Sequence, residues 1–293
     1  MTGIQTAPSE EPKKKTSRAG RDLPAAIAVG VVLGALCIAI LLWAPRAWVA
    51  VVAVAVAVAT HEVVRRLREA GYSIPVIPLL LGGQAMVWLT WPCGTAGTLG
   101  AYAATVALSM IWRLLSGGLK AAPTNYLRDV SATVFLATWV PLFGSFAALL
   151  IEPRGNGGLH AGAGQVFCMM LGVVASDIGG YTAGVLFGKH PLVPAISPKK
   201  SWEGLAGSLV FSVGVSMASV HFLLHRPWWI GVPLGIMLVI TGTLGDLVES
   251  QVKRDLGIKD MGTMLPGHGG LMDRLDSILT SALAAWIVLE LLA

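Results

Sequence analysis

Charge is what this sequence has least of. Aspartate, glutamate, lysine and arginine make up 13% of its 293 residues, where a soluble globular domain carries roughly 25%. With 55% of the residues hydrophobic and a mean hydropathy of +0.71, too little polar surface remains to cover a soluble globule of this size. That shortage argues against an ordinary water-soluble domain and makes a bilayer the expected solvent. Cysteine is scarce as well: Cys37, Cys93 and Cys168 lie in apolar runs without metal-ligand spacing, and they read as small buried residues. Internal repeats are lacking, and low complexity is limited to an Ala/Val alternation at 49–59. The net charge of +5 could suit a nucleic-acid binder, but the way the bases are distributed gives it another meaning.

What is present is a series of apolar runs. A span needs ~20 mainly apolar residues to cross ~30 Å of hydrocarbon, and nine stretches qualify: 24–43, 47–64, 74–91, 95–112, 130–151, 161–187, 204–224, 228–248 and 275–292. Each is expected to be helical, because unpaired backbone groups are costly in lipid. The polar segment 1–22 cannot bury enough apolar area to fold and is expected to be a disordered tail. The first run exceeds the ~7–15 residues of a signal peptide's apolar core and has no convincing cleavage site after it, so it reads as a retained span. If the tail is cytoplasmic, 18 of the 21 lysines and arginines fall on the inner side. Only Arg46, Arg154 and Arg226 fall outside, and that asymmetry sets the N-terminus in the cytoplasm. The expected fold is therefore all-α, a polytopic integral membrane protein of about nine transmembrane helices. Its parts are the tail 1–22, N-terminal helices over 23–160 and a catalytic region over 161–293.

The acids that stand out gather at one level of the membrane. Asp177 lies about sixteen residues into the sixth span, ~24 Å at the helical rise. Asp246 and Glu249 close the eighth span, while Asp273 and Asp276 open the ninth. Each pair is spaced i, i+3 and so shares a helical face. Carboxylates this close to one another and to hydrocarbon are costly without positive charge among them. Lys253, Arg254, Lys259 and Arg274 can supply it, as can a divalent metal, and oxygen-only ligands beside phosphate favour Mg2+. For any one acid, solvation or pairing with a nearby base is an equally good account, but that account weakens for the full set. Glu62, Glu69, Asp129, Glu152 and Glu290 lack such company and are assigned no role, and His61 reads as structural.

Two polar connections frame these acids. The first, 255–270, interleaves Gly257, Gly262, Gly267, Gly269 and Gly270 with bases and Pro266. Glycines let backbone N–H groups approach an anion closely, and Lys and Arg bind phosphate. The second, 176–204, repeats the ingredients with Asp177, Lys189, Lys199 and Lys200, although a plain topological role accounts for the last two taken alone. Together they point to chemistry on phosphate groups at a lipid boundary, where positioning and charge neutralisation do most of the catalysis.

The stretch SQVKRDLGIKDMGTMLPGHGGLMDRLD, 250–276, resembles the defining motif of the phosphatidate cytidylyltransferase (CDP-diacylglycerol synthase) family. Ser250, Val252-Lys253-Arg254, Lys259-Asp260, Gly262, Leu265-Pro266, His268-Gly269-Gly270, Asp273-Arg274 and Asp276 match it without departure. A second stretch, Asp177, Tyr181, Phe187-Gly188-Lys189 and Ser197-Pro198-Lys199-Lys200-Ser201-Trp202-Glu203-Gly204, is similar to another common segment. It departs at Gly180, Ser201 and Val185, of which only the last, standing where a basic residue is common, changes the chemistry and puts one possible phosphate contact in doubt.

The resemblance covers roughly 170–293. It implies the reaction CTP + phosphatidate → CDP-diacylglycerol + pyrophosphate with Mg2+, and room for a second cation. It implies metal ligands at Asp246, Asp273 and Asp276, with help from Asp177. Lys253 and Arg254 would join Asp246, Asp273 and Asp276 in catalysis. Phosphate binding would fall to Ser197, Lys199, Lys200, Lys259, His268, Gly269, Gly270 and Arg274, while Trp202 and Glu203 shape the loop. Expected partners are CTP, phosphatidate and the bilayer, with a second copy of the chain as a candidate and no nucleic acid. The expected location is the inner or plasma membrane, with the site facing the cytoplasm. The rivals are a CTP-dependent lipid or polyprenol kinase, and an ion-coupled transporter. A transporter predicts acids near the bilayer midplane, whereas these gather at one interface. The pattern of a CDP-alcohol phosphotransferase is absent.

Overall fold

The computed structural model describes residues 23–118, 120–151, 158–262, 264 and 269–292. The expected tail 1–22, Glu152, Arg154 and His268 lie outside them. Helices dominate the described chain: α1 (Leu23–Trp43), α2 (Ala47–Glu69), α3 (Val76–Trp88), α4 (Thr90–Leu115), α5 (Tyr126–Ala137), α6 (Phe143–Leu149), α7 (Gly158–Phe187), α8 (Trp202–Leu224), α9 (Gly231–Asp255) and α10 (Met272–Leu291). A five-residue π turn, Thr138–Leu142, joins α5 to α6 around Pro141, whose ring and missing N–H forbid regular α hydrogen bonding there. Inside α4, Gly94 adopts φ 56°, ψ −145°, a kink that separates the turn at Thr90 from the long helix after it.

Six of these rods are long and apolar enough to cross a membrane among the described residues: Ala47–Glu69, Thr90–Leu115, Tyr126–Leu149, Ala161–Phe187, Trp202–Leu224 and Trp228–Asp255. The protein is an integral membrane protein on that ground. The nine expected spans all fall on helices; two miss the criterion for local reasons, and a third is described only in part. Helix α3 has only 13 residues, the described apolar part of α1 is Gly30–Trp43, and α10 carries Asp273, Arg274, Asp276 and Glu290 within its 20 residues. The all-α expectation also needs one amendment. Pro191–Val193 (β1) and Ser197–Ser201 (β2) pair antiparallel, where Pro191, Pro194 and Pro198 stop any helix from continuing. Helix α7 ends at Phe187, where the expected span 161–187 ends, so the non-helical part of the stretch 176–204 is the hairpin and its flanks. Cys168 is buried, but Cys93 is exposed, contrary to the sequence reading, because it sits at the Gly94 kink.

Two apolar clusters hold the bundle together. One joins α2 and α6 to α7, α9 and α10 through Val52, Val56, Phe146, Val166, Leu234 and Ala282. The other packs Ala59, Val63, Leu136 and Trp139 against Met261, Met272 and Leu279. The second cluster matters for the site, because Met261 and Met272 flank the glycine-rich loop and anchor its two ends against α2 and α5.

Helices α7 and α8 approach unusually closely. A Cβ on Gly179 would lie 2.5 Å from the Gly207 carbonyl oxygen, and one on Gly207 would meet Gly179 at the same distance. Only glycine fits at such a crossing, as in membrane helix pairs generally. Hydroxyls reinforce it: Ser208 donates to the Ser176 carbonyl (2.7 Å) and Ser212 to the Gly172 carbonyl (3.0 Å). Apolar side chains gain little from meeting in lipid, so small residues and interhelical hydrogen bonds carry this contact.

Candidate active site

At one end of the bundle the ends of α7 and α9, the start of α8 and the hairpin enclose a cavity of about 370 Å³. Asp177 lines it from α7, Asp246 from α9, Ser277 from α10, and Ser197, Lys199 and Lys200 from β2. Gly180, Gly184 and Gly204 line it where α7 meets α8, which leaves the space that side chains would otherwise fill. Lys200 forms an ion pair with Asp246, so the hairpin is tied to α9 across the cavity. Arg254 makes a second tie, its Nε donating to the Ile196 carbonyl at 2.7 Å and its Nη2 to the same oxygen.

The hairpin is fixed at its base as well. Ser201 caps α8, accepting from the Gly204 N–H at 3.1 Å, as N-cap serines do. Glu203 accepts from the backbone N–H groups of Lys189 (3.2 Å) and His190 (3.3 Å) and pairs with His190 Nδ1 at 2.5 Å. Helix α7, the hairpin and α8 therefore present Lys199 and Lys200 from a braced ribbon.

Beside the cavity, Asp246, Glu249 and Asp276 bring carboxylate oxygens within 4.8 Å of one another. The i, i+3 spacing accounts for Asp246 and Glu249. Asp276 reaches them because α9 and α10 pack closely: a Cβ on Gly245 would lie 2.5 Å from the Asp276 carbonyl oxygen, and Thr280 Oγ1 donates to the Thr241 carbonyl at 2.8 Å. Glu249 is 2% exposed, and its Oε1 is buried without a hydrogen-bond partner. An orphaned carboxylate oxygen among acids is costly and fits a bound cation. A donor set made only of carboxylate oxygens suits a hard divalent ion.

Asp273 faces elsewhere. Its carboxylate accepts from the backbone N–H groups of Met261 (3.1 Å) and Gly270 (2.7 Å) and pairs with Lys253 at 2.6 Å. Lys253 also pairs with Glu249 at 2.6 Å, so one ammonium bridges the acid cluster to the glycine-rich loop. Gly269 takes φ +85° and leaves no room for a side chain, since a Cβ there would lie 2.9 Å from Asp273 Oδ2. Asp177 lies in the cavity wall outside the close trio. Lys259 and Arg274 are exposed on the loop and on the first turn of α10.

The sequence reading left out two residues of this arrangement. The sequence sets Glu249 beside Asp246 on one helical face without assigning it to the ion. Glu62, assigned no role, is 8% exposed and accepts from the N–H groups of Leu271 (3.1 Å) and Met272 (2.9 Å). It lies against Gly262 and Gly270 and meets donors at the start of α10, where a negative charge also complements the helix dipole. Nearby, Arg66 Nε donates to the Met261 carbonyl at 2.8 Å. The local signal is an acid near the end of the apolar part of α2, three residues before Arg65, Arg66 and Arg68 begin. Asp129, also left without company, forms a buried ion pair with Arg113 at 2.8 Å, remote in role from the cavity.

The fold and site define a class: an integral membrane protein whose bundle ends in a small polar chamber of lysines, carboxylates and close backbone. Comparison with known sequences narrows it. The model of the cytidylyltransferase family matches residues 24–292, and the chain belongs to that family, which makes it a nucleotidyltransferase. A protein of Mycobacterium bovis named phosphatidate cytidylyltransferase is 63% identical over 292 residues, covering 97% of this chain and 93% of the relative. Proteins of the same name from Mycobacterium tuberculosis (63% identical; 97% and 87% covered) and Mycobacterium leprae (60% identical over 303 residues; 100% and 95% covered) are similarly close.

Proposed function

We propose that this chain transfers the cytidylyl group of CTP to phosphatidate, giving CDP-diacylglycerol and pyrophosphate. The observation that carries the reading is the juxtaposition of Lys199 and Lys200 with the Asp246–Glu249–Asp276 cluster at the end of an apolar bundle. The names of relatives at 60–63% identity over nearly the whole chain support it. An oxygen of the phosphatidate phosphate attacks the α-phosphorus of CTP. A new P–O–P link forms as the bond to the β-phosphate breaks, and pyrophosphate leaves with its electron pair. The substrate brings its own nucleophile, so the protein's work is positioning and charge.

Lys199 and Lys200 bind phosphate oxygens from the hairpin, and the braced turn keeps them in place when the anions repel one another. Mg2+ is the ion this reading assigns to Asp246, Glu249 and Asp276, with Asp177 in the wall of the adjoining cavity. Bound there, it would supply charge that offsets the triphosphate and the departing pyrophosphate. Lys253 and Asp273 hold the loop against the cluster, and the side-chain-free backbone at Gly269 lets phosphate come close to it. The reading sets this end of the bundle in the cytoplasm, on the side of 18 of the 21 lysines and arginines.

The test is turnover by purified protein given phosphatidate and CTP labelled at the α- or the γ-phosphate. Label from the α position should enter the lipid fraction, dependent on Mg2+. Entry of γ-label with release of CDP would replace this reading with a lipid kinase. CTP-independent uptake by sealed vesicles would replace it with a transporter.

A further inference from the structure

Away from the catalytic chamber, α3 and α4 flank an apolar groove of about 1000 Å³, lined by Ile77, Leu81, Ala85, Ala104, Leu108 and Trp112. It follows α3 from Ile77 to Leu89, about 18 Å at the helical rise, or slightly more than half of a ~30 Å hydrocarbon core. Gly100 and Ala104 open the groove on the α4 side, and a Cβ at Gly100 would meet nothing within 4 Å.

The groove does not end in more apolar surface. At Trp112 and Ser116 it runs into a second pocket of about 550 Å³ lined by Arg68, Tyr72, Ser73 and Arg113. Arg113 is matched by Asp129, which Arg128 also contacts at 3.2 Å while lying over the Tyr72 ring at 4.4 Å. Two cations thus share one carboxylate. Arg68 donates to the Ile74 carbonyl at 3.0 Å and forms no ion pair among the described residues, so this pocket carries a surplus of positive charge. It lies at the same end of the bundle as the catalytic loop, since Arg66, two residues before Arg68, bonds Met261.

An apolar trough one leaflet deep, capped by a basic and hydroxyl-bearing pocket, has the two-part chemistry of a phospholipid. We infer that the α3–α4 groove is a binding site for an anionic glycerophospholipid, distinct from the catalytic chamber. An acyl chain lies along the groove and the headgroup phosphate meets Arg68, with Tyr72 and Ser73 beside it. The trough alone would accept any acyl chain, so it is the uncompensated arginine that selects an anionic headgroup. A basic side chain near a membrane surface is worth ~1 kcal/mol toward an anionic lipid, about a fivefold preference.

The test is native mass spectrometry of the full chain in detergent, titrated with phosphatidylglycerol or with phosphatidylcholine of the same acyl chains. Phosphatidylglycerol should be retained about fivefold more strongly. Arg68→Ala should remove that preference, and Arg68→Lys should keep most of it. Gly100→Phe, which fills the trough without meeting protein atoms at its Cβ, should lower retention of both lipids. Equal retention of the two lipids by the unaltered chain would overturn the inference. So would a preference that survives Arg68→Ala but is lost in Lys200→Ala, which would locate the headgroup in the catalytic chamber. If Gly100→Phe shifts the protein between monomer and dimer while leaving lipid adducts unchanged, the groove is a contact between copies and the inference also fails.

Discussion

Replacing Glu62 tests whether a residue outside the recognisable motifs governs the reaction. Its two carboxylate oxygens accept from the Leu271 and Met272 N–H groups at 3.1 and 2.9 Å, and the side chain is 8% exposed. Hydrogen bonds to a charged group contribute roughly 1.5–3 kcal/mol each, and a charge at a helix N-terminus adds about 0.3–1 kcal/mol. Part of this is recovered when water reaches the freed N–H groups, so a net loss of ~2–3 kcal/mol is expected for Glu62→Ala. The loss falls on the turn that leads into Asp273 and Asp276. If the loop's working position depends on it, turnover should fall about 30- to 150-fold, since each ~1.4 kcal/mol is a factor of ten. Glu62→Gln keeps one acceptor but aims an NH2 at a backbone donor, and should lie between the two. The assay is incorporation of α-labelled CTP into lipid by variants that purify as single species in detergent. A Glu62→Ala protein that melts at a lower temperature yet turns over at the normal rate would refute the argument, because the residue would then stabilise the fold without positioning the site. The reciprocal change, Gly270→Ala, sets a Cβ 2.6 Å from both Glu62 Oε2 and the Gly262 nitrogen. It should disturb the same turn, and the two changes combined should cost less than their sum.

Asp273→Asn should leave the protein inserted but reduce conversion of CTP and phosphatidate to below a hundredth, because Lys253 loses one of its two carboxylate partners; near-normal turnover would remove Asp273 from the machinery. Glu249→Gln should raise the Mg2+ concentration needed for half-maximal turnover about tenfold, read from a metal titration after chelation with EDTA, and an unchanged titration would detach Glu249 from the ion. Arg254→Ala removes one of the two ties between the hairpin and α9 and should raise KM for CTP more than it lowers kcat, as steady-state kinetics would report. Gly179→Leu forces α7 and α8 apart at a backbone contact and should destabilise the protein by about 1–3 kcal/mol, seen as a lowered melting temperature in detergent.

Much of the architecture was legible because a bilayer imposes simple rules. The apolar runs fell on helices since lipid leaves the backbone no other partner, and of the fully described ones only the short α3 and the charge-bearing α10 fell below the length and hydropathy of a span. The hairpin 191–201 escaped because it lies among polar residues, where that rule lapses and three prolines decide the conformation. At the site, the spacing of Asp246 and Glu249 could be read directly, being a property of one helix. Which acids meet across helices could not. The packing of α9 on α10 turns Asp276 toward Asp246 and Glu249, while Asp273, three residues earlier, is turned toward Met261 and Gly270 by its own backbone contacts. No i, i+3 rule distinguishes those two aspartates, since each is a legitimate ligand until the neighbouring helix is known.

Glu62 marks the deeper limit. It stands 209 residues before Leu271, and nothing local to α2 announces a partner in the last loop. Yet the glycine-rich loop needs something of its kind. A loop built to approach phosphate must leave backbone donors unclaimed, and glycine gives it little intrinsic reason to hold one shape. Asp273 and Glu62 take two N–H groups each, one acid from the loop's own helix and one from across the bundle. Met261 and Met272 pin the flanks in the second apolar cluster. The backbone on either side of Gly269 is thereby held in place by carboxylates that are themselves held by Lys253 and by α2. On this argument the first half of the chain is more than a membrane anchor for the motif-bearing half: without α2 behind it, the loop would have the right sequence and no fixed geometry.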